Sequence, residues 1–538
     1  MIFMKHIKKS AIALMLTVGV GFVSCTKLDE KLNSSLTADQ AQSILLKSTD
    51  VSVLLQACYD GLQGFQSQDV ATSLEENSSD ESLVPTRGGD WDDNGVWRVI
   101  HAHTWNADHS QVGGVFNNLL GVVFNTTNVL SFSPSASQAA EARFLRAFAM
   151  YTVLDLYGQV PYREAGENLL NAPKVLKGAE AAAFIISELT AIKASLPNGP
   201  SAGGPAYKAN KDAADVLLMK MYLNKGAYTN RAAPTFDAAD MNAAIALAEG
   251  LSTKYTISAN VWDNYAPSND VIGKENIFTN QNIGGSRGGN LRAAWYKTNH
   301  YNQNKSGWNG FTTLAAVYDK FEATDTRLGT NYVDPAGQWP NPKGVNTVGF
   351  FAGQQYDLVT GAALQDRKGA PLSFTRAVAL QESGTNLEVT GIRYWRYVVD
   401  TKPNNDGQPD NDYVFFRYAD VVLMEAEAIL RGGTAPSGKT SLSLVNSLRA
   451  KRGATAATSV ILKNADQNAA DAGGVISLLN ERQREFHWDG WRRQDQIRFG
   501  TFLSANALKP VTDAKYLVFP IPNAALAVNP NLSQNPGY

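Results

Sequence analysis

Cysteine is nearly absent, with only Cys25 and Cys58 among 538 residues. So few thiols exclude a disulfide-stapled scaffold and a multi-cysteine zinc site. An excess of one charge is missing too: 48 Lys and Arg face 50 Asp and Glu. There is no basic stripe to follow a nucleic-acid backbone and no like-charge block to act as a tail, so nucleic acid is not an expected partner. Past residue 24, no stretch of 18 consecutive apolar residues offers a membrane-spanning helix. What is present, 44% hydrophobic and 18% charged residues, is the composition of an ordinary globular protein, long enough for two to four domains by length alone.

The first 24 residues differ from the rest. Lys5, Lys8 and Lys9 precede the 13-residue apolar run "AIALMLTVGVGFV", which leads to Ser24 and Cys25. A basic start, a core too short to cross a bilayer and a small residue before the cut describe an export signal. The placement of a scarce cysteine at that junction makes "FVSC" a lipobox match, so residues 1–24 are expected to be a lipoprotein signal peptide and Cys25 the acylated N-terminus. Cleavage removes three lysines and leaves a body with a modest negative charge. Cys58, within the apolar run "VSVLLQACYDGL", is expected to be an inert buried thiol.

Several segments carry apolar residues at helical spacing. In "QAAEARFLRAFAMYTVLDLYG", one stripe contains Ala142, Leu145, Ala149, Val153 and Leu156, and a second contains Phe144, Phe148 and Tyr151. That helix is expected to be packed on most sides. "EAAAFIISELTAIKASL", "NKDAADVLLMKMYLNKGAY" and "DAADMNAAIALAEGL" follow, and "RYADVVLMEAEAILRG" and "SLSLVNSLRAKRG" form a later pair ended by glycine. Consecutive helical hairpins with small residues at their contacts predict a mainly α fold, a tetratricopeptide-like helical bundle. Two stretches lack periodicity, at about 65–115 and 252–412. Rich in Gly, Asn, Pro and aromatics, they are expected to be large irregular loop and short-strand insertions on one domain spanning 25–538.

Three motifs suggest chemistry, and each has a plainer reading. "GGSRG" at 284–288 fits the nucleophile-elbow pattern around Ser286, but four glycines in "GGSRGG" read as a loop, and the alternating strands and helices of a hydrolase are missing. "HAHTWNADH" gathers His101, His103 and His109, which read as polar residues hydrogen-bonded to backbone rather than as a metal site. "NNDGQPDND" at 404–412 resembles a calcium loop in composition. Aligning its Gly407 puts Lys402 and Tyr413 at ligand positions, so it is no EF-hand but a turn with solvated acids, with a structural calcium as the open alternative.

The aromatic residues of the two irregular regions are more informative. Trp91 and Trp97 lie in the first; Trp295, Tyr296, Trp308 and Trp339 lie in the second, among Gly, Asn and Pro. Flat aromatics can cover the C–H face of a sugar while Asp, Asn, Arg and Gln satisfy its hydroxyl rim. Any single one of these tryptophans could equally anchor a loop, and Trp488 and Trp491 look like framework.

The segments "AEARFLRAFAMYTVLDLYGQVPY", "KENIF", "GWNGFTTLAAVYDKFEATDTR", "DYVFFRYADVVLMEAEAIL", "VNSLRAKRG", "ERQREFHWDGWRRQDQIRFGTF" and the tail "YLVFPIPNAALAVNPNLSQNPGY" run in order along the chain. Together they resemble the SusD/RagB family of glycan-binding lipoproteins. The resemblance implies a lipid-anchored outer-membrane protein facing outward, with Asp29 and Glu30 in its export signal. It also implies a partner TonB-dependent transporter of the SusC kind, and binding without catalysis or cofactor. "SSDESLVPTRGGDWDD" resembles the family's early ligand-contacting loop and nominates Asp80, Arg87, Asp90 and Trp91; the segment 295–308 resembles a second and nominates Trp295, Tyr296 and Trp308. Import of peptide rather than glycan is a variant, and a secreted hydrolase using Ser286, His101 or an acid pair is the rival class.

Overall fold

Each helix buries an apolar stripe that only a neighbour can cover, so the chain folds as a succession of helical hairpins. The computed structural model describes residues 50–334, 346–402, 405 and 407–538; Cys25, the leader and Trp339 lie outside the described residues. The principal helices are α1 (Val51–Gly61), α2 (Ser110–Val129), α3 (Ala136–Tyr157), α4 (Gly178–Ile192), α5 (Lys211–Thr229), α6 (Ala238–Ser252), α7 (Tyr418–Leu430), α8 (Ser441–Lys451), α9 (Leu478–Phe486) and α10 (Arg492–Arg498). From α2 to α8 each packs on the next in sequence. Helix α7 lies on α6 although residues 253–417 intervene, so the solenoid continues across the second insertion. The expected mainly α, tetratricopeptide-like bundle is the fold observed.

Helix α3 is the centre of the bundle. A capping box between Ser135 and Gln138 starts it and Gly158, at φ 72°, ends it. From Ala140 nearly every side chain is buried, which is why its sequence carries two apolar stripes. Helix α2 was illegible: "SQVGGVFNNLLGVVFNTTNV" is rich in Gly, Asn and β-branched residues that weaken isolated helices. Its buried Val112, Val115, Phe116, Leu119, Val122 and Val123 are held by packing on α3. The first irregular region therefore gives way to helix at Ser110, and it contains two short helices, Ala71–Asn77 and Val96–His101.

The strands are short: β1 (Thr86–Arg87), β2 (Gln159–Tyr162), β3 (Lys174–Lys177), β4 (Asn276–Asn280), β5 (Val348–Phe351), β6 (Gln381–Glu382), β7 (Arg393–Trp395) and β8 (Tyr413–Arg417) are the main ones. Buried β4 pairs antiparallel with β8, stitching the start of the second insertion to its end. β1 pairs parallel with β6, tying the first insertion to the second. The loops "GGSRGG" and 404–412 clamp each other, since the Gly284 N–H donates to Asp410 at 2.6 Å and the Gly285 N–H to Gln408 O at 2.9 Å. Two acids of this segment are not free in solvent as expected: Asp410 accepts from Lys402 and Asn405, and buried Asp412 accepts from the Thr279 hydroxyl and the Asn282 N–H.

Helix α9 is polar in sequence, yet every side chain from Leu478 to Phe486 is buried. Glu481 and Glu485 meet Arg327 at 2.8 and 3.0 Å. Arg449 pairs with Glu481 at 2.7 Å, while Arg452 and Arg417 reach Glu485 at 2.9 and 2.5 Å and Glu275 at 2.8 and 3.3 Å. Burial would raise the Glu485 carboxyl, but the surrounding guanidiniums of Arg452, Arg417 and Arg327 hold it well below the usual carboxylate range. Desolvated charges in this number are tolerable only because each is paired several times over.

His101 and His103 are structural. His101 is fully buried with Nδ1 3.0 Å from Ser82 O, and His103 Nε2 lies 2.7 Å from Ser78 O. Burial pushes the His101 imidazole down from 6.5 to about 4. Between those values the unfolded chain binds a proton that the fold refuses, so stability falls as pH drops through that window. The His101 share amounts to about 3 kcal/mol once the drop is complete. Urea unfolding at pH 7 and pH 4.5 should therefore show a larger loss for wild type than for His101→Gln; equal losses would exclude this contribution.

Candidate functional site

Two loops bring together several half-buried aromatics of the insertions. The first is a tight reversal, Arg87-Gly88-Gly89-Asp90, in which Arg87 and Asp90 exchange backbone hydrogen bonds at 2.9 and 3.2 Å. Gly88 takes φ 67°, as a two-residue hairpin turn requires. Trp91 follows at φ 59°, a conformation costly for a bulky residue, which persists because the surroundings hold it. Its indole lies flat on Gly310, where any β-carbon would collide with the ring. The indole N–H donates to Trp308 O at 2.8 Å, and Trp97 and Phe311 meet its edges at 5.7 and 5.6 Å.

The second loop leaves the one-turn helix Ala293–Tyr296 and folds back on it. The Trp308 N–H donates to Tyr296 O at 2.7 Å and the Phe311 N–H to Lys297 O at 2.8 Å. This return brings the half-buried rings of Tyr296 and Trp308 to a centroid distance of 5.6 Å at 53°, and the Arg292 guanidinium lies 5.0 Å over Tyr296. The same loop presents Tyr301, whose hydroxyl donates to exposed Asp90 at 2.8 Å. Arg367 sits 4.0 Å above the Tyr301 ring, pairs with Glu388 at 2.5 Å and reaches Asp90 at 3.4 Å.

Polar groups at this rim are settled rather than poised. Burial and the bond to Asp90 push the Tyr301 phenol up to about 12. Burial would raise Glu388, but hydrogen bonds from Arg367 and His300 hold it below the ordinary carboxylate range. His300, with Nε2 2.9 Å from Glu388, is itself held below 6.5 by burial. A general acid at neutral pH needs a raised carboxyl. What this arrangement offers instead is an aromatic pair, Tyr296 with Trp308, under the Arg292 guanidinium, and a cluster of donors and acceptors around Tyr301.

Of the residues nominated from the sequence, Asp90, Trp91, Tyr296 and Trp308 come together here. Trp91 is half-buried rather than fully open. Three others are placed differently. Arg87 is buried, and its guanidinium donates to Asn309 O at 3.1 Å, Leu387 O at 2.7 Å and Thr390 O at 2.8 Å; it fastens the loops from beneath. Asp80 is buried in a two-pronged pair with Arg492 at 2.6 and 2.7 Å. Trp295 is fully enclosed at 0% exposure, because successive helical residues point about 100° apart and this position turns into the core while Tyr296 does not. In this arrangement neither Asp80 nor Trp295 can touch a ligand. Tyr301, Arg367, Glu388 and Arg292 were missed. Tyr301 had a weak signal as one more aromatic among Asn and Gln, but Arg367 and Glu388 reach the rim from a remote part of the insertion.

Comparison with known proteins agrees with this architecture. The family model described as "SusD family" matches residues 253–538. The starch-binding protein SusD of Bacteroides thetaiotaomicron is 27% identical over 447 residues, covering 77% of this chain and 75% of its own. A SusD superfamily protein from Parabacteroides distasonis shares the fold at TM-score 0.65 and 17% identity, covering 94% of this chain and 100% of its own. So does surface glycan-binding protein A from B. thetaiotaomicron, solved in complex with laminarihexaose, at TM-score 0.60 and 16% identity over 90% and 98% of the two chains. SusD-type proteins bind carbohydrate and are not enzymes. The chain belongs to the SusD family.

Proposed function

We propose that the protein captures oligosaccharide at the cell surface, on the Tyr296–Trp308 ring pair with Asp90, Tyr301, Arg292 and Arg367 at its rim, and delivers it to a TonB-dependent outer-membrane transporter. The observation that carries the reading is the pair of half-buried rings 5.6 Å apart, beside polar groups that can satisfy hydroxyls. Relatives named for starch binding and solved with laminarihexaose support the ligand class. Cys25 is the anchor in this reading, acylated and holding the body to the outer leaflet, facing outward. Among the described residues no helix is long and apolar enough to cross a membrane. Affinity is expected to be roughly micromolar to millimolar, since each hydroxyl trades water for protein partners.

The experiment is titration calorimetry of the purified body against a panel of neutral and acidic polysaccharides and their oligosaccharides, with a panel of peptides alongside. Heat with one glycan class and none with peptides is expected. Binding of peptides alone would overturn the glycan assignment, and release of shortened oligosaccharide during incubation would overturn the reading as a pure binder.

A further inference from the structure

The loop that carries Tyr301 runs on into a second concavity, a cleft of about 190 Å³. Its lining includes Gln303, Asn304, Gln354, Gln355, Tyr356 and Trp395. Among the described residues no acidic or basic side chain lines it. Gln303 and Gln355 are buried, with Gln303 Oε1 accepting from the His300 N–H at 2.8 Å and Gln355 Oε1 from Gln303 Nε2 at 3.4 Å, whereas the amide nitrogens of Gln354 and Asn304 are engaged. Gln354 Nε2 donates to Gln355 O at 2.8 Å and Leu364 O at 2.9 Å, and Asn304 Nδ2 donates to Asp357 at 3.0 Å. Trp395 forms the floor, 1% exposed, with its ring 4.4 Å from Phe351 and its N–H given to Asn299.

Carboxamides both donate and accept, as sugar hydroxyls do, and the half-buried Tyr356 ring can meet the apolar face of the sugar. Among the described residues that line the cleft a charged group would find no counter-ion, the nearby Asp357 carboxylate being engaged by Asn304, and an unpaired desolvated charge is costly. Tyr301 and Gln303 are two residues apart, so their α-carbons are separated by at most about 7 Å. A chain of sugars that reaches Tyr301 therefore comes to the edge of the cleft.

We propose that this cleft is a second subsite, taking one uncharged hexose of the oligosaccharide that lies on the Tyr296–Trp308 pair. The protein would then select chains long or branched enough to occupy both. This rests on the glycan reading above.

The test uses two variants of the cleft. Ala352, exposed and part of the lining, becomes a plug in Ala352→Trp without deleting a native hydrogen bond; Gln354→Ala removes an acceptor instead. Both are titrated beside wild type and Trp308→Ala with neutral α-1,4- and β-1,3-linked gluco-oligosaccharides, from disaccharide to heptasaccharide, or with the neutral series the wild type selects in the panel. Wild type should gain affinity with length. The cleft variants should lose that gain, about tenfold or 1.4 kcal/mol on the longest chain, and keep the wild-type value for the disaccharide. Cleft variants that match wild type at every length, with Trp308→Ala impaired, would overturn the second subsite and leave the glycan reading intact. A wild type that binds no glycan in the panel would overturn that reading and this inference with it.

Discussion

Replacing Glu485 with alanine should destabilise the protein by about 3–5 kcal/mol, the largest effect of any single substitution considered, because it leaves several buried guanidiniums without their shared counter-ion. Glu485 meets Arg327, Arg417 and Arg452 inside the structure, each of them at most 2% exposed. The expected loss is not the net worth of the pairs. Forming them exchanged hydration for contact with little net gain; removing Glu485 leaves Arg417 and Arg452 to share Glu275, and Arg327 with Asp325 and Glu481, in a low-dielectric interior with an excess of positive charge. A urea midpoint that moves by less than the equivalent of about 1 kcal/mol would show that water or rearrangement already satisfies those arginines. The network joins Arg327, in the second insertion, to α9, so its loss should loosen the insertion before the α2–α6 hairpins. Hydrogen exchange at Glu275–Asn280 compared with α3 would report that order.

Replacing Trp308 with alanine is the second. It should weaken glycan binding by about 2 kcal/mol or more, roughly thirtyfold, as truncation of a central aromatic in a binding site does. The indole supplies one of the two rings of the pair with Tyr296, while the backbone carbonyl that fixes Trp91 stays in the variant. The unfolding midpoint should therefore shift much less than for Trp295→Ala, whose fully enclosed ring is core. Binding by Trp308→Ala that equals wild type across the glycan panel would remove the ring pair as the contact surface. Binding lost together with a collapse in the midpoint would mean that Trp308 is framework.

Much of this protein was legible before any coordinates. Apolar periodicity marked α3 to α8 because those helices bury stripes at 3.6-residue spacing, and that signal is local. Collinear motifs placed the chain in its family, and the aromatic, polar composition of the two irregular regions made them the candidates for a contact surface. Nothing local could reveal α2, whose glycines and asparagines are overruled by packing, or α9, whose charges look like a solvated face and are instead paired with arginines from Arg327 to Arg452.

The site divides in the same way. By itself the sequence determined which residue types gather near 87–91 and 295–308. Only the tertiary structure decided which of them face outward: Tyr296 and not Trp295, Asp90 and not Asp80. It also brought Arg367 and Glu388 to the rim from the far part of the insertion. The reason is physical. Residue type and spacing are properties of the chain, whereas exposure and partnership depend on how loops without a repeat fold back on one another.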